Sequence, residues 1–363
     1  MKKYKYILVF ATMLFAGTCF AASKNDSAPA TENHKELDIK GLILEHLGDS
    51  YEWHITTINH KHISIPLPVI LYSKTSGWNV FMSSKLQHGE TAYKGFYISE
   101  EGKHKGKIVE KNTAGEEVRP FDISITKNVL SLFISSALLL IIIMSVARSY
   151  KKEPLAAKKG FAGMMEMFIM SINDDVIKPG IGKDYKKYAP YLLTVFFFIF
   201  INNLLGLIPI FPGGANVTGN IAITFLLAFI TFLIVNISGT KEYYKDIFWP
   251  DVPTWLKVPV PIMPAIELVG VFTKPFALMI RLFANILAGH SIVLGLTALV
   301  FVTVSLGTAM NATMSVISVI FTIFIEFVEL LVAYIQAYVF TMLSSVFIGL
   351  ARVEPHHKKK LDN

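Results

Sequence analysis

Between positions 258 and 351 the only acidic or basic residues are Glu267, Lys274, Arg281, Glu326 and Glu329. So long a tract with so few charges reads as two extended apolar helices, because only helices and closed barrels satisfy their own backbone groups in hydrocarbon. Arg281 sits in the middle of the first. An arginine there is unfavourable by at least ~2.5–3.5 kcal/mol, so it marks an ion path with a partner unless a neutralising pair explains it. The remaining sequence is read against these two options.

With 53% apolar side chains and a mean hydropathy of +0.49, the 363-residue chain is a multi-pass membrane protein. Its net charge of +7 does not imply a nucleic-acid partner. Residues 24–127 carry 13 Lys or Arg against 14 Asp or Glu, so the basic excess flanks the apolar runs and reports topology. The start, MKKYKYILVFATMLFAGTCFAAS, has the basic, apolar and small-residue order of a signal peptide (1–21, cleaved after Ala21). Cys19 is the only cysteine, so structural disulfides are excluded.

Residues 22–126 are expected to form a small β-rich extracytoplasmic domain with a disordered start. The segment WHITTINHKHISIPLPVILY (53–72) is rich in β-branched residues, and short apolar runs recur at 80–82 and 93–98. Seven of the ten histidines lie in 34–104, including His60 and His62. With no cysteine or compact acidic cluster to complete a ligand set, they are read as surface histidines and no metal or cofactor is expected.

Five spans are expected, at about 129–147, 190–208, 219–238, 264–306 and 312–350, with a basic cytoplasmic tail at 353–363. The first is followed by Arg148, Lys151, Lys152, Lys158 and Lys159, which places its C-terminal end in the cytoplasm. Phe161, Met164, Met165, Phe168, Ile169, Ile172 and Val176 repeat at helical spacing, so 160–177 is expected as an interfacial amphipathic helix. Residues 189–240 carry no charge, and IPIFPGGANVTGN turns the chain between two spans. Asn202 and Asn203 lie in the first of these, where amides either hold helices together or line a water path. The last two segments exceed a ~30 Å hydrocarbon core at ~1.5 Å per residue, so strong tilting or bending is expected, with Pro275 as one bend.

Glu267, Lys274 and Arg281 are seven apart and Asn285 is four beyond, so all four share one helix face; His290 turns away from it. On the second long helix Glu329 and Gln336 are also seven apart. With the helices running in opposite directions, Glu329 falls near the depth of His290, Gln336 near that of Arg281, and Glu267 toward the cytoplasm. Neutralising pairs inside a bundle are one reading of such groups. A central Arg with polar groups on both sides favours an ion or proton relay, because a guanidinium keeps its charge where a buried Lys need not.

KPFALMIRLFANILAGH (274–290), INNLLGLIP (201–209) and AYIQAYVFTMLSSVFI (333–348) resemble, in order and spacing, motifs of the a subunit of F-type ATP synthases. The resemblance covers about 120–352 and implies an all-α polytopic domain, 127–352, that acts as the static proton-channel subunit with no catalytic site of its own. It implies as partners the ring of c subunits, the b subunits of the peripheral stalk and the other synthase subunits, within a bacterial inner membrane. By resemblance, Arg281 matches the arginine facing the ring and Gln336 the glutamine beside it. Asn203, His290 and Glu329 match the outer half-channel, and Glu267 an acidic position near the inner path; Asn285 joins them through its shared face with Arg281. Some members carry an acid where this chain has His290 and a histidine where it has Glu329, and some carry an acid where it has Gly206. No phosphate-binding loop is present, so nucleotide chemistry would belong to partner subunits. A self-contained transporter would require an inverted repeat and a closed site, and neither is visible; a scaffold without transport would leave Arg281 unexplained.

Overall fold

The computed structural model describes residues 48–58, 61–89, 91–99, 102–112, 116–152, 159–208, 213–249 and 262–352. The expected signal peptide, the start of the outer segment, His60, Trp255 and the basic tail lie outside them.

The outer segment folds as short antiparallel strands: β1 Glu52–Ile58, β2 Lys61–Pro66, β3 Pro68–Ser73, β4 Gly77–Met82, β5 Phe96–Ile98, β6 Ile108–Lys111, β7 Glu117–Val118 and β8 Phe121–Asp122. They form a β1–β2 hairpin and two three-stranded sheets ordered β4-β3-β8 and β5-β6-β7. Alternation decides what is buried. Val69 and Leu71 on β3 and Phe81 on β4 face a core shared with Tyr51, Leu86, Phe96 and Ile108, while Trp78, Val80 and Met82 point outward. The Tyr51 hydroxyl donates to Asp122 Oδ2 at 2.5 Å, and burial followed by this carboxylate pushes its pKa up. The β-rich expectation holds; β6 to β8 were not anticipated, since strands of two to four residues are too short to show alternation.

The rest of the described chain is helical. The main helices are α1 Lys127–Lys152, α2 Phe161–Ser171, α3 Tyr185–Leu207, α4 Ile221–Ser238, α5 Lys241–Phe248, α6 Ile262–Val302 and α7 Thr308–Ala351. Among the described residues five helical runs are long and apolar enough to cross a membrane: α1, the run Phe161–Leu207 that contains α2 and α3, α4, α6 and α7. Helix α1 continues past the expected end at 147 into its basic flank, since Lys and Arg are good helix formers. The expected interfacial helix is joined to the next span through a π-helical turn, Ile172–Ile177, and an α-helical turn, Lys178–Ile181. The run breaks at Gly182, whose φ of 79° suits a residue without a Cβ. Helix α6 runs through Pro275 without interruption. The gap expected between the last two spans, 307–311, shrinks to Gly307 at φ 104°: α7 begins at Thr308, and a 3₁₀ turn, Thr303–Leu306, ends the run of the preceding helix.

Helix α7 is the centre of the bundle, packing on both α3 and α6, while α4 packs on α6. Ile172, Ile177, Leu192, Phe196, Ile199, Leu278, Leu282 and Ile348 are fully buried in the shared apolar core. Close approach depends on small residues. A π-helical turn disturbs the usual i→i−4 pairing, and the Ser345 hydroxyl of α7 donates to Val176 O at 3.2 Å and Ile177 O at 3.4 Å. Beside it, a Cβ on Gly349 would collide with the backbone carbonyl of Gly180. Gly349→Val is therefore expected to force the α7 terminus from the 172–181 segment, costing about 1–3 kcal/mol or more. A lower melting temperature of the detergent-solubilised protein checks this; an unchanged one would refute the close-packing argument.

Candidate functional site

Helices α3, α6 and α7 bring Asn203, Asn285, His290 and Glu329 to the lining of one cleft, with Leu207, Ile286, Gly289, Val332 and Ala333 as its apolar wall. Helical spacing explains the α6 contribution, because 285, 286, 289 and 290 lie on adjoining turns of one side. Asn203 is 2% exposed, and both ends of its amide are engaged: Nδ2 donates to Ala333 O on α7 at 3.2 Å, and Oδ1 accepts from the Thr218 hydroxyl at 2.7 Å. Asn202 instead donates to Phe198 O of its own helix. The two asparagines that were equivalent in sequence thus differ, one tying three chain segments together and the other bonding within α3.

Glu329 is buried at 9% exposure, and its Oε1 has no hydrogen-bond partner among the described residues. Gly289 makes room for it. A Cβ at that position would lie 2.5 Å from Glu329 Oε1 and 2.8 Å from its carboxyl carbon. Gly206 borders His290 without such a restriction, since a Cβ there would make ordinary 3.7 Å contacts with His290 Nε2 and Ala215 O. Gly206, where some family members carry an acid, therefore faces the imidazole directly. Glu326 is three residues before Glu329 on the same helix side and is half-buried.

Arg281 lies outside this cleft. It is exposed, and Ala277, Ala284, Asn285 and Ala288 accompany it along one exposed stripe of α6. Small side chains around an exposed guanidinium leave it accessible to a closely packed neighbour. Gln336 is buried in α7 and does not line the cleft.

A second cleft lies among α4, α5, α6 and α7, lined by Thr231, Asn236, Tyr243, Lys274, Pro275 and Phe347 with apolar neighbours. Lys274 Nζ sits 5.9 Å from the Phe347 ring centre, a cation–π distance. Pro275 cannot donate to the carbonyl of Val271, so this wall of the cleft carries a backbone acceptor freed from the helix ladder. Glu267 is half-buried and does not line this cleft, although its charge reaches Tyr243. Burial, with Tyr244 and Glu267, pushes the Tyr243 phenol pKa up. Neither Tyr243 nor Asn236 was singled out from sequence, since a Tyr on a short amphipathic helix and an Asn at a span end carry no signal of their own.

Among the described residues no cluster of three His, Cys, Asp or Glu could hold a metal ion. The first cleft, the Arg281 face and all of the second cleft except Leu350 fall within residues 129–349, and that region matches the sequence profile described as ATP synthase A chain. The chain belongs to this family. Residues 42–132 match a domain of unknown function. Among relatives, the ATP synthase subunit a of Chlorobium phaeobacteroides is 45% identical over 65% of this chain and 68% of its own length. The ATP synthase subunit a 2 of Chlorobaculum tepidum is 46% identical over 65% of each. The ATP synthase subunit a of Myxococcus xanthus is 40% identical over 65% of this chain and 75% of its own length.

The double role of Asn203 gives a direct test of the site's architecture. Asn203→Ala removes two bonds, leaving the Thr218 hydroxyl unpaired and the Ala333 carbonyl with only its helical partner, an expected loss of about 1–3 kcal/mol. In a double-mutant cycle with Thr218→Val, the losses should be non-additive by ~0.5 kcal/mol or more in thermal unfolding of the solubilised protein. Strict additivity would show that the bond is not formed.

Proposed function

We propose that this chain is the proton-translocating a subunit of an ATP synthase, and that it provides two offset half-channels to and from carboxylates on a rotating ring of c subunits. The observation that carries this reading is the pairing of two unlike features: a polar cleft with an unpartnered Glu329 oxygen and, next to it along α6 through Asn285, an exposed Arg281 with alanines on its stripe. Protons arriving from outside pass Asn203, His290 and Glu329 and neutralise a ring carboxylate. The neutral carboxylic acid then travels through lipid, which the charged form could not do at comparable cost. Arg281 favours the ionised carboxylate on its return, and the proton leaves toward the cytoplasm on the Glu267 side, where Lys274 and Tyr243 line the second cleft. Gln336, beside Arg281 in depth, and Asn285, on its stripe, provide neutral hydrogen-bonding groups next to the cation.

The work comes from the proton-motive force, whose electrical part is ~2.3 kcal/mol per charge per 100 mV. Helices α6 and α7, at 41 and 44 residues, would be ~60 Å or longer if straight, so they lie steeply tilted against the ring and present a broad curved face. The outer domain is periplasmic and the C-terminus cytoplasmic, in a bacterial inner membrane, with helix 161–171 at the cytoplasmic interface. The b subunits of the peripheral stalk hold the chain static. Nucleotide chemistry belongs to other subunits of the complex.

Arg281→Lys should abolish proton-driven ATP synthesis while the complex still assembles, because an ammonium lacks the planar fork that engages a carboxylate and can lose its proton when desolvated. Synthesis in reconstituted vesicles at more than about a tenth of the wild-type rate, a barrier change under ~1.4 kcal/mol, would sink the mechanism. The acid and imidazole positions should also work as a pair. His290→Glu and Glu329→His are each expected to slow proton uptake from the outside at least about tenfold. The double exchange is expected to recover part of that loss, whereas additive losses would show that the two positions act separately.

A further inference from the structure

The loop that bonds to Asn203 of the cleft also packs on the N-terminal domain. Ala215 and Val217 are each 1% exposed and pack against Trp53 of β1, with Ile65, Leu130 and Ile223 around them. The next residue, Thr218, donates to Asn203, and Ala215 O borders the space between Gly206 and His290. One loop, 213–219, therefore touches both Asn203 of the cleft and Trp53 of the N-terminal domain. At the same seam, Ser50 O accepts from Lys127 N at 2.9 Å and Asp49 Oδ1 accepts from Asn128 N at 3.1 Å, so residues 49–50 are fastened to the start of α1. Lys127 lies within electrostatic reach of both Asp49 and His290.

Three side chains around this seam hold buried polar atoms without a hydrogen-bond partner among the described residues: Thr126 Oγ1, Asn128 Oδ1 and Asn216 Nδ2. Buried polar atoms are almost always paired with protein or with water. Three such atoms, at the start of α1 and in the 213–219 loop, are the sites at which this otherwise apolar seam would bind water and become a wet seam. We propose that the N-terminal domain builds the mouth of the outer proton route. In it, Asp49 and Lys127 form a charge-balanced pair, and Thr126, Asn128 and Asn216 line the water path from that pair to the cleft. The inference rests on the half-channel reading.

The pair has a physical reason to exist. A lone cation at the mouth would repel incoming protons, and low-dielectric walls focus that field. The bonds from residues 49–50 to the backbone of Lys127 and Asn128 hold the Asp49 carboxylate beside the start of α1, where its charge offsets that of Lys127. Asp49 also caps α1, so the test must separate charge from capping. Asparagine keeps an acceptor oxygen for the Asn128 N–H and is an equally good cap, which makes Asp49→Asn a change of charge alone.

In vesicles containing the whole complex, with assembly checked by the amount of complex in the membrane, Asp49→Asn is expected to slow proton-driven ATP synthesis about threefold or more. Adding Lys127→Met should return the rate to within about twofold of wild type, since the mouth is neutral again. A normal rate for Asp49→Asn, or equal impairment of the single and double variants, would overturn the proposal in favour of a capping role. A second readout is chemical. Asn216→Cys, with Asn128→Cys as the substitute if assembly falls, should lose proton flow when a small cationic thiol reagent is added outside, compared with the same variant before reagent. No loss would overturn the wet seam. Failure here with Glu329→His and Arg281→Lys still impaired sinks this inference alone; if those variants are also normal, the half-channel reading falls first.

Discussion

A polar side chain placed in hydrocarbon has to be matched by another polar group or by water, and most of the membrane domain can be understood from how each such group is matched. Asn203 is matched completely, by Ala333 O and Thr218, and in being matched it joins α3, α7 and the 213–219 loop. Ser345 is matched by carbonyls of the π-helical turn, which docks α7 against the segment before α3. The apolar core then fills in around these fixed points, because lipid offers apolar side chains almost the same environment as a neighbouring helix does. Packing contributes close contact; the hydrogen bonds select which faces meet.

Two ionisable groups break this pattern in opposite ways. Glu329 is buried with an unpartnered oxygen, held in space that Gly289 leaves free, whereas Arg281 is exposed with small residues around it. A structural ion pair would have brought an acid to the arginine inside the chain. Instead the acid faces an imidazole-bearing cleft and the arginine faces outward, so neither is neutralised by the other. This arrangement is why a subunit that moves charge need not contain a continuous pore.

Much of this was legible from residues alone. The scarcity of charge between 258 and 351, the seven-residue spacing of Glu267, Lys274 and Arg281, and the turn at 208–220 were enough to order the helices and sort polar groups by depth. The motifs around Arg281 supplied the family. What periodicity could not show was which of two neighbouring amides would bridge helices, since Asn202 and Asn203 differ by only about 100° on the same turn. Nor could it show that Gly289 leaves space for Glu329, because a glycine's use lies in the space that a distant element occupies. The short strands β6 to β8 and the cleft around Tyr243 escaped for the same reason: they are defined by partners far along the chain.

The 213–219 loop shows how an added domain can become part of an older site. Asn216 Oδ1 accepts from Gly219 N at 2.9 Å, and Asn220 caps α4 through Ala222 N at 3.0 Å, so the loop is held by its own side chains. A loop rigid in this way transmits position in both directions: Trp53 presses on Ala215 and Val217, and Thr218 holds Asn203. Loosening either contact would alter the other without any change in the helices. The N-terminal domain is therefore coupled to the cleft by geometry alone, through the one surface that the two share.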